Sequence, residues 1–157
     1  MTINLHDEFQ QNLFDAGDAE MFCDGASSGN PGHSGIGVVI SIKDKGSRQP
    51  GENRNYRISE YIGIATNNVA EYTALLKGLE KLESLGIRKI KVFVDSELLA
   101  RQINGIYRVK HANLIPLWTK TMNILKSFSD YTVTHVPREK NKEADSLARR
   151  AVIQKKG

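Results

Sequence analysis

The spacing of apolar residues changes character near Asn68, and that change narrows the folds open to this chain. Upstream, apolar residues come in short runs or in alternation. Met21–Asp24 reads as the end of a first strand, and Gly25–His33 as a loop rich in Gly, Ser, Asn and Pro. Ile36–Ile42 reads as a second strand, centred on Val38, Val39 and Ile40. Tyr56, Ile58 and Ile62 mark a third with period two, interrupted by Glu60. With a polar turn at Lys43–Pro50, the three read as an antiparallel meander.

Downstream the period becomes helical. Asn68 is placed to cap a helix with Glu71 at the capping-box position, and Leu75, Leu79 and Leu82 follow until Gly86 stops it. Ile90, Val92 and Val94 alternate in a strand over Lys89–Asp95. Ser96 opens a short helix to about Asn104, and Asn113 or Pro116 opens another to about Phe128. Tyr131–Val136 is a fifth strand. After the tight connection Pro137–Asn141, Asn141 caps a last helix carrying Ala144, Leu147, Ala148, Ala151 and Val152. The order β-β-β-α-β-α-α-β-α is that of an α/β domain with a five-stranded mixed sheet, its first three strands antiparallel, flanked by helices.

The chain has 157 residues, 39% of them hydrophobic, enough for one domain with its own core. Residues 1–18 read as an N-terminal extension and 19–157 as the domain. In the extension, Leu5, Phe9 and Leu13 recur at a spacing of four. There is no apolar run long enough to span a membrane, and the N-terminus does not resemble a secretory signal. One cysteine, Cys23, excludes an internal disulfide and a cysteine zinc cluster. These features point to a cytoplasmic protein, a monomer with no obligate protein partner and no membrane partner. Net charge is +4, yet residues 1–20 hold five acids and no Lys or Arg, so the remainder is more basic than the total. That balance is compatible with a polyanionic partner but, being common among soluble domains, does not by itself select one.

Four carboxylates stand in settings of their own: Asp24 in MFCDGASSGNPG, Glu71 in TNNVAEYTALL, Asp95 in KVFVDSE and Asp145 in NKEADSLA. Each follows or interrupts an apolar run, where an acid is costly unless a positive group sits beside it. Each also has an ordinary reading. Asp24 suits a turn, Glu71 a capping box, Asp95 an N-cap and Asp145 the positive end of a helix dipole. Against these stand three observations. Glu71 shares a face with Ala74, Leu75, Gly78 and Leu82, the face that should meet the sheet. Asp95 ends a strand, where a side chain is held rigidly at an open crevice. Ser27, Ser28, Gly29 and Asn30 form a loop with nothing bulky to keep a sugar-phosphate backbone away. Four acids brought together mean bound metal ions, and metals held by carboxylates mean phosphate chemistry.

In chain order, DGASSGNPG, TNNVAEYTAL, VFVDSELLARQI and HVPREKNKEADSLA resemble the four signature segments of ribonuclease H type I, over residues 21 to about 153. The match is to a prokaryotic short form without the family's basic protrusion. The resemblance implies the ribonuclease H-like fold, which has the element order above. It implies an endonuclease that hydrolyses the RNA strand of RNA–DNA hybrids by two-metal-ion catalysis, leaving 5′-phosphate and 3′-hydroxyl ends. Asp24, Glu71, Asp95 and Asp145 are then the ligands of two Mg²⁺ ions (or Mn²⁺), with Asp24 bridging them. Backbone groups of Ser28 and Gly29, with Glu71, Asn30 and Asn67, are expected near the RNA strand, and Thr66 and Asn67 at a phosphate of the DNA strand. Ordinary helix capping is the competing role for Thr66–Asn68.

Two departures from the family pattern matter. Many members carry a mobile histidine before the last acid. Here His135 alternates with Tyr131 and Val133 on the fifth strand, so Arg138 in the shortened loop is the better auxiliary catalytic residue. His33 and His111 have weaker claims. In place of the protrusion stands the short stretch Asn104–Leu117, where Arg101, Arg108, Lys110 and His111 supply charge and Tyr107 aromatic surface; Trp118 reads as core. Weak, steeply salt-dependent hybrid binding is expected from this. Two other readings stay open. One is another nuclease of the same fold, of integrase or resolvase type; the other is a non-catalytic hybrid-binding module.

Overall fold

The structure, a computed structural model, describes residues 17–43 and 53–156. The spacing-of-four pattern in the extension and most of the expected Lys43–Pro50 turn lie outside the described residues. Five strands form one sheet in the order β3-β2-β1-β4-β5. They are β1 (Asp18–Ser27), β2 (Gly32–Lys43), β3 (Asn53–Ala65), β4 (Lys89–Val94) and β5 (Asp130–His135). β2 is antiparallel to both β1 and β3, while β4 runs parallel to β1 and β5 parallel to β4. The five-stranded mixed sheet expected from the sequence is therefore present.

Helices α1 (Asn67–Ser84), α2 (Glu97–Ile103) and α3 (Ile115–Leu125) follow the meander, and α4 (Lys142–Lys156) closes the chain after a 3₁₀ turn at Arg138–Lys140. Met21 and Cys23 of β1, Ile36, Val38 and Ile40 of β2, and Val92 of β4 are buried with Leu75, Leu79 and Leu82 of α1. Full burial of each such side chain contributes about 1.5–3 kcal/mol. Across the sheet, α4 lies on β1, β2 and β3 and buries Ala144, Leu147, Ala148 and Ala151. The three alanines among them let α4 sit close to the strands.

Several local expectations shift. β1 does not stop at Asp24 but pairs on to Ser27↔Ser34, so the loop predicted over Gly25–His33 shrinks to the few residues between β1 and β2. Composition suggested a loop there, but ladder hydrogen bonds override it. Glu60 itself pairs in register with Ile36, and just beyond it comes a β-bulge: Ser34 faces Gly63 and Gly35 faces Tyr61, leaving Ile62 as the extra residue. α1 is capped by Thr66, whose hydroxyl accepts from the Val69 N–H at 3.2 Å, and not by Asn68. Glu71 therefore stands beyond the first turn, with no capping-box role. The helix ends as the glycine signalled. Gly86 sits at φ +75°, and the Ile87 N–H donates to the Leu82 carbonyl at 3.1 Å, a Schellman arrangement. α3 starts at Ile115 with Pro116 in its first turn, which decides between the two openings considered. Trp118 packs partly buried against the core.

Candidate active site

Asp24 and Asp95 are neighbours because β1 and β4 run parallel in register. Cys23 pairs with Val94, so the next residue of each chain segment carries an acid at the same end of the sheet. This is the carboxyl end of parallel strands, where α/β sheets open into crevices. Asp24 is 7% exposed.

Two glycines bring the other acids in. A Cβ on Gly25 would stand 2.3 Å from the Ala70 carbonyl carbon and 2.4 Å from the Glu71 nitrogen, so the start of α1 rests directly on the β1 backbone. Gly37, the cross-strand partner of Asp24, does the same on the opposite face. A Cβ there would stand 2.0 Å from the Ala144 carbonyl oxygen and 2.7 Å from the Ala148 nitrogen, both on α4. Glu71 and Asp145 thus reach Asp24 from opposite faces of the sheet.

Ligand oxygens of Asp24, Glu71 and Asp95 lie within 4.8 Å of one another. At that separation each pair of charges repels by about 3.5 kcal/mol at an effective dielectric near 20. Burial, then the Asp95 charge, the hydrogen bond with Asp145 and the charges of Asp145 and Glu71 push the Asp24 carboxyl up to about 8. Burial also pushes Glu71 up to about 7; a Ser96 hydrogen bond and the Arg138 charge oppose the rise, and Asp95 adds to it. Carboxylates raised by burial and by one another's charge form a site that a divalent cation relieves.

Asp145 stands somewhat apart. It shares a hydrogen bond with Asp24 but falls outside the group of three. Its Oδ1 accepts from Arg149 Nε at 3.1 Å, one helical turn on. All four acids line one cleft of about 520 Å³ with Gly25, Ala26, Ser27, Ser28, Asn67, Arg138 and Arg149.

The remaining predicted residues divide. Ser28 and Asn67 face the cleft. Gly29, Asn30 and Thr66 do not line it, and of these Asn30 ties the β1–β2 loop to α1. Asn30 Oδ1 accepts from the Asn67 N–H at 3.1 Å, Ser27 Oγ donates to the Gly29 carbonyl, and Thr66 is the cap described above. Arg138 lines the cleft. His135 is the last residue of β5, paired with Val94 in the ladder, and is not among the lining residues. His33 Nδ1 lies 2.6 Å from the Tyr61 hydroxyl, and His111 is exposed.

Some contributors escaped the sequence reading. Asn141 sits before α4, where its backbone carbonyl accepts from the Asp145 N–H at 3.1 Å. Its side chain does not cap the helix but turns inward. Nδ2 donates to Asp95 Oδ2 at 3.1 Å and to the Cys23 carbonyl at 3.0 Å, bracing Asp95 against β1. An asparagine ahead of a helix signals a cap, and nothing in the spacing signals this inward use. Ser96 both caps α2, accepting from the Leu99 N–H at 3.1 Å, and bonds Glu71. The Asp145–Arg149 pair did carry a signal, opposite charges four apart on a helix.

A family model described as reverse transcriptase-like matches residues 22–151. The ribonuclease HI of Halobacterium salinarum is 36% identical over 136 residues, covering 87% of this chain and 65% of that protein. The bifunctional protein Rv2228c of Mycobacterium tuberculosis is 38% identical over 129 residues, covering 82% of this chain but 34% of its own length. This chain thus spans less than two thirds of either of these curated relatives. Among solved structures, a ribonuclease H1 named LC11, in complex with an RNA/DNA hybrid, superposes with a TM-score of 0.75 at 36% identity, covering 88% of this chain and 99% of that one. Shared fold, a matching family model and relatives above 30% identity agree: the chain belongs to the ribonuclease H type I family.

Proposed function

We propose that this protein is an endoribonuclease that hydrolyses the RNA strand of RNA–DNA hybrids, leaving 5′-phosphate and 3′-hydroxyl ends. The observation that carries the reading is the convergence of Asp24, Glu71 and Asp95 within 4.8 Å in an open cleft that Asp145 also lines. These four acids would hold two Mg²⁺ ions, with Mn²⁺ as a substitute. Bound there, the ions supply Lewis-acid activation of water and charge neutralisation at the scissile phosphate.

The chain's own groups do the rest. Gly25 through Ser28 present a floor of backbone and small side chains that a ribose can approach. Ser28, Gly29, Asn30 and Asn67 are assigned to the RNA strand, whose 2′-hydroxyl distinguishes it from DNA. The junction formed by Thr66 and Asn67, at the positive end of α1, is assigned to a phosphate of the DNA strand. Arg138 is assigned an auxiliary role, with its guanidinium charge directed at Glu71. Ser96 and Asn141 hold Glu71 and Asp95 in place. A cytoplasmic location accompanies this reading. No helix among the described residues is long and apolar enough to cross a membrane.

Labelled hybrid, RNA duplex and DNA duplex, incubated side by side with Mg²⁺ and with EDTA, test the proposal. Cleavage of the hybrid RNA strand alone, lost in EDTA and in Asp24→Asn, is expected. Cleavage of DNA duplex would move the protein to another nuclease class of the same fold. Hybrid binding without cleavage would make it a binding module.

A further inference from the structure

The four acids are not equivalent in their partners. Asp24, Glu71 and Asp95 converge on one another, whereas Asp145 holds an ion pair with Arg149 at 3.1 Å. Both residues line the cleft. Their side chains differ in freedom, since that of Asp145 is 18% exposed and that of Arg149 is 59% exposed. Asp145 is also tied to Asp24, so it is the arginine that can leave.

We propose that Arg149 is an exchangeable counter-ion. It neutralises Asp145 until a second divalent cation claims that carboxylate, and the released guanidinium then pairs with a backbone phosphate of the hybrid in the same cleft. The inference rests on the function proposed above.

Three physical points support it. An ion pair this exposed shifts an equilibrium by only about 1.5- to 5-fold, so a divalent cation can displace it at a measurable cost. The three converged acids make no ion pair with Arg149, so a first cation can bind without disturbing it. A guanidinium freed in the cleft presents a planar fork that matches phosphate oxygens, and its long stem gives it reach. Cations should therefore enter in two unequal steps, the weaker one set by competition with Arg149.

The test is Mn²⁺ titration of the full chain without nucleic acid, with free Mn²⁺ read by electron paramagnetic resonance. Wild type is expected to show a tighter and a weaker step. Arg149→Gln should tighten the weaker step by about two- to fivefold while moving the tighter one less than about twofold. Arg149→Lys, which keeps the charge, should stay near wild type, and Asp145→Asn should lose the weaker step. In Ca²⁺, Arg149→Gln should also lower the salt slope of hybrid binding by about one. Equal weaker steps in wild type and Arg149→Gln, or a weaker step that survives Asp145→Asn, overturn the exchange while leaving the proposed function standing. A wild-type chain that binds no Mn²⁺ overturns both.

Discussion

Replacing Asp24 by Asn should make the metal-free protein harder to unfold while destroying its activity. The magnitude follows from the burial of this acid beside three others. Asp24 rises from an ordinary 3.8 to about 8, chiefly through burial. Its folded value lies above its unfolded value, so its carboxyl costs nothing below about pH 4. Stability is then lost as pH climbs towards 8, where the unfolded chain ionises freely and the folded chain resists. At about 1.4 kcal/mol for each tenfold change in proton affinity, the ceiling on that loss is about 6 kcal/mol. A buried amide in the same place still costs about 1–3 kcal/mol, which leaves a net gain of roughly 3 kcal/mol. For a chain of this size that corresponds to a rise in Tm of about 6–12 °C. Thermal melts in EDTA at pH 8 and pH 4 read it directly. The variant should melt higher at pH 8, it should melt no higher than wild type at pH 4, where only the cost of its amide remains, and added Mg²⁺ should raise wild type alone. A variant that melts no higher than wild type at pH 8, or a gap unchanged at pH 4, refutes the reasoning.

Other expectations follow from the same geometry. Asn141→Ala removes the brace on Asp95 and should lower cation affinity about 10- to 100-fold, measured by calorimetric titration with Mn²⁺. Gly37→Ala drives a methyl into the α4 backbone and should cost more than about 2 kcal/mol in urea unfolding. Arg138→Ala should reduce hybrid cleavage by about tenfold or more, whereas His135→Ala should change it less than about twofold, in initial-rate assays at fixed Mg²⁺.

The sheet and the acids were legible for different reasons. Alternation and helical spacing are direct images of which faces are buried, so Ile36–Ile42 and Leu75–Leu82 announced themselves. Glu71 could be placed on the inward face from its offsets to Leu75 and Gly78 alone. Composition misled where tertiary pairing took over, as at Gly25–Ser27, whose glycine and serine suggest a loop but continue a ladder. TNN offers three capping residues in a row, so the spacing to Glu71 points to Asn68 where the fold uses Thr66, one of the residues with capping as its competing role. Inward-turned Asn141 was hidden because its partners, Asp95 and the Cys23 carbonyl, are remote in sequence. Long-range polar contacts leave no local period to read.

The approach of α1 and α4 through peptide groups at Gly25 and Gly37 has a consequence for how this protein can vary. At these two points helix and strand meet at bare backbone, with no compressible side chain between them. Hydrophobic exchanges further along either helix can soften or harden the interior and leave the carboxyl oxygens where they are. A single methyl at either contact would lever a helix outward and spread the oxygens beyond the grasp of one ion. Tolerance to mutation and the spacing of the chemistry are thereby held at separate addresses.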